Sequence, residues 1–116
     1  MVNIKRAYDP VSDEDGRRIL VDRLWPRGVT KERAHLERWA KELSPSKELC
    51  VWFSHDPNKW PEFQERYRAE LAPQMDNLKE LAAEAGKGTV TLIYGARDTE
   101  HNEAVVLKMV LEEFGS

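Results

Sequence analysis

The chain has 116 residues, 41% of them apolar and including four Trp and three Phe, which is enough for one core that buries roughly two thirds of the unfolded surface without staples. Its single cysteine, Cys50, excludes an internal disulfide and a site built from several thiolates, and no run is long and apolar enough to span a membrane. The 18 Lys and Arg against 21 Asp and Glu leave a net charge of −3, which lacks the strong positive field of non-specific nucleic-acid binding.

Residues 2–8 read as a short strand and residues 18–24 as a better one, with Ile19, Leu20 and Val21 in an apolar run rich in β-branched side chains. Asp9-Pro10 and the acidic stretch ending at Gly16 mark a turn between them. A hairpin fits this connection, while a parallel crossover would be unusually short, so the relative direction stays open. Pro26 and Gly28 end the second strand, and Thr30 is placed to cap a helix whose stripe is Leu36, Trp39, Ala40 and Leu43. Ser44-Pro45 predicts a new helix start, with Leu49, Cys50 and Phe53 on its buried side and an end near Ser54-His55. Trp60, Phe63, Tyr67 and Leu71 form the next stripe. Ala72-Pro73 should break it, and Met75, Leu78, Leu81, Ala82 and Ala85 resume until Gly86. TVTLIY, residues 89–94, is the continuous apolar signal of a central strand, and a last helix opening at 98–100 buries Ala104, Leu107, Val110, Leu111 and Phe114. Strands alternating with helices make the chain an α/β domain spanning residues 1–116, expected in the cytoplasm.

Two strand ends run into polar loops, one with Asp22, Arg23, Trp25 and Arg27, the other with Tyr94, Arg97 and Asp98. In open α/β sheets such ends form the binding crevice, and guanidiniums converging there beside a helix start suit phosphate or carboxylate. The competing reading pairs Asp22 with Arg23 or Arg18 and leaves Arg27 solvated on a turn. His55 and His101 are candidate proton-transfer groups, weighed against capping roles at helix ends. Trp25 between two arginines suits stacking of a planar ligand, or else simply packs its loop onto the sheet. Cys50 reads as a core residue. No histidine or carboxylate spacing suggests a metal, and no glycine-rich phosphate loop, dinucleotide fingerprint or nucleophile elbow suggests a bound cofactor or a hydrolase.

The segments DGRRILVDRLWPRGVTKE (15–32), WAKELSPSKEL (39–49), FSHDPNKWPEFQERYRAEL (53–71) and TLIYGARDTEHNEAVVL (91–107) resemble the bacterial YeaO-like branch of the family called domain of unknown function 488. The resemblance covers nearly the whole chain. It implies a small Rossmann-like, mainly parallel sheet of three or four strands flanked by helices, with the first connection a short crossover. Its motif positions here are Asp22, Arg23, Trp25, Pro26, Arg27, Gly28, Lys31, Tyr94, Asp98 and Asn102. The chain departs from the pattern at Cys50, where arginine is usual, and at Arg97, where lysine is usual.

Together these readings predict a small anionic ligand, nucleotides among the options, held at the strand ends by Arg23, Trp25, Arg27, Lys31, Arg97 and Asn102. Tyr94, Asp98, His55 and His101 are the candidates should there be turnover. The alternative is a non-catalytic nucleic-acid or protein interaction factor that uses the loop of Trp25 and Arg27.

Overall fold

A computed structural model describes residues 1–115. Among them a four-stranded parallel sheet, in the order β1-β4-β2-β3, is flanked by helices, a small Rossmann-like α/β fold. The strands are β1 (Val2–Arg6), β2 (Arg17–Leu20), β3 (Arg38–Trp39) and β4 (Val90–Tyr94). The helices are α1 (Lys31–Ala34), α2 (Lys47–Phe53), α3 (Trp60–Leu71), α4 (Met75–Lys87) and α5 (Glu103–Glu113).

The predicted central strand is central: β4 lies between β1 and β2, in register Val2↔Val90 and Ile19↔Leu92, and all five of its residues are buried. A strand covered on both faces has no position for a polar residue except where a partner waits. Thr91 finds one by donating its hydroxyl proton to the Asp15 carbonyl at 2.7 Å. The connection from β1 to β2 is a crossover and not a hairpin. Its ten residues, 7–16, must return about 17 Å along the strand direction and step roughly 10 Å sideways past β4. Ten extended residues reach at most about 35 Å, so no helix is needed.

The sheet separates two cores of unequal size. Ile19, Val21, Val90, Leu92 and Tyr94 face the main core with α2 to α5, whereas Leu20 and Ile93 face a smaller cluster with Ala7, Val29 and Ala34, packed by Trp25, Leu36 and Trp39. That division corrects the helix expected over 36–43. Thr30 does cap a helix, accepting from the Arg33 backbone N–H, but α1 ends after one turn where His35 turns left-handed at φ 48°. The chain then lies parallel along the edge of β2, with Ile19↔Arg38 and Leu20↔Trp39 in register. Leu36 and Trp39 serve the small core while Ala40 and Leu43 serve the large one. The helical spacing of these four is therefore coincidental.

Two further boundaries and one burial differ from expectation. The cap of α2 is Ser46, accepting from the Leu49 N–H at 3.1 Å, and Pro45 precedes it outside the helix. Cys50 is exposed rather than core, because α2 turns only Leu49 and Phe53 inward. Helix α5 starts at Glu103, since Asp98 first folds residues 98–101 into a turn of its own. The expected break at Ala72-Pro73 is present as a single tight turn between α3 and α4. No helix among the described residues is long and apolar enough to cross a membrane.

Candidate functional site

After β2 the chain leaves the sheet toward the small core, while after β4 it leaves toward α5 and the large core. Adjacent parallel strands whose chains depart to opposite faces leave a crevice at their C-terminal ends. A cavity of about 330 Å³ fills that position. Asp22 and Arg23 enter it from β2, Gly95, Ala96, His101, Asn102 and Glu103 from the loop after β4, and Cys50 and Phe53 from α2.

The floor is acidic. Asp22 Oδ2 accepts the Gly95 N–H at 2.8 Å, and a Cβ added at Gly95 would stand 3.0 Å from that oxygen, so the glycine allows the carboxyl to dock against the backbone. Glu103, the first residue of α5, bonds side chain to side chain with Asp22. Burial, followed by the hydrogen bond and charge of Asp22, pushes the Glu103 carboxyl well above the usual carboxylate range, which favours its protonated form in the shared bond. The backbone N–H of Glu103 opposes this shift without reversing it. Burial and the nearness of Glu103 likewise raise the Cys50 thiol, which makes it a poor nucleophile despite its exposure.

One wall is aromatic and carries the imidazoles. Phe53 and Phe63 stack at 4.3 Å between centroids, Trp60 stacks on Phe63 at 5.6 Å, and the His101 ring meets Trp60 edge-on at 5.2 Å. Asp98 orients that imidazole through His101 Nδ1 at 2.9 Å. The backbone N–H of Glu100 and the His101 ring hold the Asp98 carboxyl below its usual range. Asn102 is buried beneath, where its Oδ1 accepts from the Val105 N–H at 3.1 Å to cap α5 and its Nδ2 donates to the Asp98 carbonyl at 2.9 Å. Asn102→Ala should lose this cap and cost about 1.5 kcal/mol in urea denaturation, while Asn102→Asp, which keeps the acceptor, should retain most of it.

The structure brings part of the predicted set together. Arg23, His55, His101 and Asn102 line the cavity, Asp98 acts on it through His101, and Arg97 lies in an adjoining recess with His55 and Asp98. His55 and the preceding Ser54 both have left-handed backbones, at φ 56° and 46°, which swings the imidazole out of α2 toward the rim. Arg23 is half-buried and forms no hydrogen bond or ion pair with any of the described residues. Four predicted residues stand elsewhere. Tyr94 is buried in the main core, and that burial raises its hydroxyl. Trp25 packs edge-on against Trp39 at 5.6 Å and donates its indole N–H to the Val29 carbonyl. Arg27 and Lys31 are exposed, outside the cavity lining. Arg18 pairs with Asp15 at 2.6 Å and not with Asp22.

Glu103 was not foreseen. An acid just after an N-capping Asn reads as complementing the helix dipole, and nothing local shows that a carboxyl 81 positions earlier will share its proton.

The sequence profile described as the inactive DUF488-N3 subclade matches residues 1–114. The Escherichia coli (strain K12) protein named uncharacterized protein YeaO is 46% identical over 106 residues, which are 91% of this chain and 92% of that one. Uncharacterized protein Rv3073c of Mycobacterium tuberculosis and uncharacterized protein Mb3100c of Mycobacterium bovis are each 37% identical over 110 residues, 95% of this chain and 92% of theirs. No solved structure matches significantly.

Proposed function

Because the chain belongs to the inactive DUF488-N3 subclade of the domain of unknown function 488 family, we propose that it is a non-catalytic binding domain that holds a small phosphate- or carboxylate-bearing ligand in the crevice above β2 and β4. The observation that carries this reading is Arg23, a half-buried guanidinium on a cavity wall without a partner among the described residues. Guanidiniums withdrawn from water are normally matched by a carboxylate, and an unmatched one facing a cavity is prepared for an anion from solution. Arg97 in the adjoining recess and His55 at the rim add further donors. The ordinary chemistry of an active site is weakly supported, because the Cys50 thiol is disfavoured as thiolate and the Asp22–Glu103 pair is bonded to itself.

Thermal melts with inorganic phosphate, nucleoside monophosphates and small carboxylates test this on the wild type, Arg23→Ala and Arg27→Ala. At about a hundred times its Kd the best ligand should raise the wild-type midpoint by roughly 10 °C. The rise should persist in Arg27→Ala, vanish in Arg23→Ala, and leave the ligand chemically unchanged after prolonged incubation. A response kept in Arg23→Ala but lost in Arg27→Ala would transfer the contact surface to the loop of Trp25 and Arg27. Consumption of the ligand would replace binding with turnover.

A further inference from the structure

The cavity contains opposite charges that do not pair with each other. Asp22 and Glu103 bond side chain to side chain, Arg23 stands on the same lining unpartnered among the described residues, and no salt bridge joins the two groups. In a space partly closed to water, unlike charges held apart are complementary to a ligand that carries both signs. The carboxyl pair restricts the ligand further. Its one internal proton is already shared, and Gly95 occupies one lone pair of Asp22, so what the pair still offers is acceptor oxygens. Ammonium and guanidinium groups, which carry only donors, match such acceptors.

Resting on the anion-binding reading of Arg23, we infer that the crevice takes a small zwitterion, with an ammonium or guanidinium on the Asp22–Glu103 pair and a phosphate or carboxylate toward Arg23. The cation replaces the shared proton as the charge between the two carboxyls, so binding displaces that proton to buffer. Affinity therefore rises with pH through that release. The other titratable groups around the pair are Arg23 beside Asp22, Cys50 on α2, His55 after α2, His101 before α5 and Glu70 on α3. Walls of Phe53, Phe63 and Leu24 accommodate a short alkyl link between the two charges.

Isothermal calorimetry with phosphoethanolamine and L-arginine as zwitterions and ethyl phosphate as the anion-only probe tests the inference, each in Tris and in HEPES at pH 7. One zwitterion should bind at least about tenfold tighter than ethyl phosphate, with a heat that differs between buffers in the sense of proton release. Two variants remove the cation site in different ways. Glu103→Gln deletes the charge that forms on binding. Cys50→Arg, at an exposed position on the same cavity, supplies an internal guanidinium to the pair. Both should bring the zwitterion and ethyl phosphate to equal affinity. Ethyl phosphate binding as tightly as the zwitterions, or a preference that survives both variants, overturns the inference while the anion site stands. No binding by any of the three probes overturns both.

Discussion

Gly16→Ala should lower the melting midpoint by roughly 15 °C, reflecting a loss of about 4 kcal/mol. Gly16 closes the tight turn after the acidic stretch and starts β2, with φ 61° and ψ −127°, a combination that L side chains rarely adopt. Strain is the smaller part of the cost. A Cβ built there lies 2.3 Å from the Thr89 carbonyl oxygen and 3.0 Å from the Thr89 carbonyl carbon. That oxygen also accepts the Arg17 N–H at 3.0 Å, at the point where β2 joins β4. The obstacle is backbone at the foot of the central strand, so relief requires the strand pairing itself to shift. Gly28→Ala is the matched control. Gly28 also has positive φ, at 79°, but nothing stands within 4 Å of its added Cβ, so this variant should lose only about 1 kcal/mol. Equal losses in the two thermal melts would show that backbone angle, and not the approach to Thr89, decides the first cost.

How far such features can be read in advance depends on whether their cause is local. The central position of β4 was legible because TVTLIY contains no residue suited to a solvent face. The break between α3 and α4 was legible because Pro73 acts within one turn. The path from β1 to β2 was not legible in the residues themselves, since a ten-residue connection suits either direction, and the family resemblance supplied the answer. The stripe from Leu36 to Leu43 failed for a different reason: its first two members and its last two belong to cores on opposite sides of the sheet, which no periodicity can express. The site divides the same way. The strand-end rule pointed to the crevice and to Arg23 in it, residue type pointed to His55 and His101, and the family resemblance to Asn102, but the acidic floor depends on Asp22 meeting Glu103 across the fold. Cys50 looked like core on spacing, yet a helix of seven residues lying on the surface leaves most of its turn outside.

On the opposite face of the sheet from α2–α5, the acid stability of the fold should depend on one carboxylate. Asp15→Ala should cost about 3 kcal/mol at pH 7 and flatten the loss of stability below pH 4. The Asp15 carboxylate accepts from Lys5 Nζ at 3.0 and 3.2 Å, from Arg18 Nη1 at 2.6 Å and from the Ser12 N–H at 3.0 Å, tying β1, the crossover and β2 together. Burial by itself raises this carboxyl. The Ser12 N–H and the two cations outweigh it, and the net position is below the ordinary aspartate value. A carboxyl lowered on folding stabilises at pH above its unfolded value, and that contribution disappears as pH falls through the folded value. The wild type should therefore lose it in the acid range below about pH 4, where the variant has nothing of the kind to lose. The cost at neutral pH comes chiefly from Arg18, which is 2% exposed and spends its Nε on the Ala34 carbonyl, with Nη2 already lacking a partner. Removing Asp15 leaves that guanidinium buried and uncompensated, whereas Lys5, more exposed, can turn toward water. The double variant Asp15→Leu with Arg18→Met separates the two contributions. If the stranded charge causes the loss, the double variant recovers most of the neutral-pH stability in urea melts while the flattened acid limb remains. If it stays as unstable as Asp15→Ala, the links to Ser12 and Lys5 matter more than the charge of Arg18.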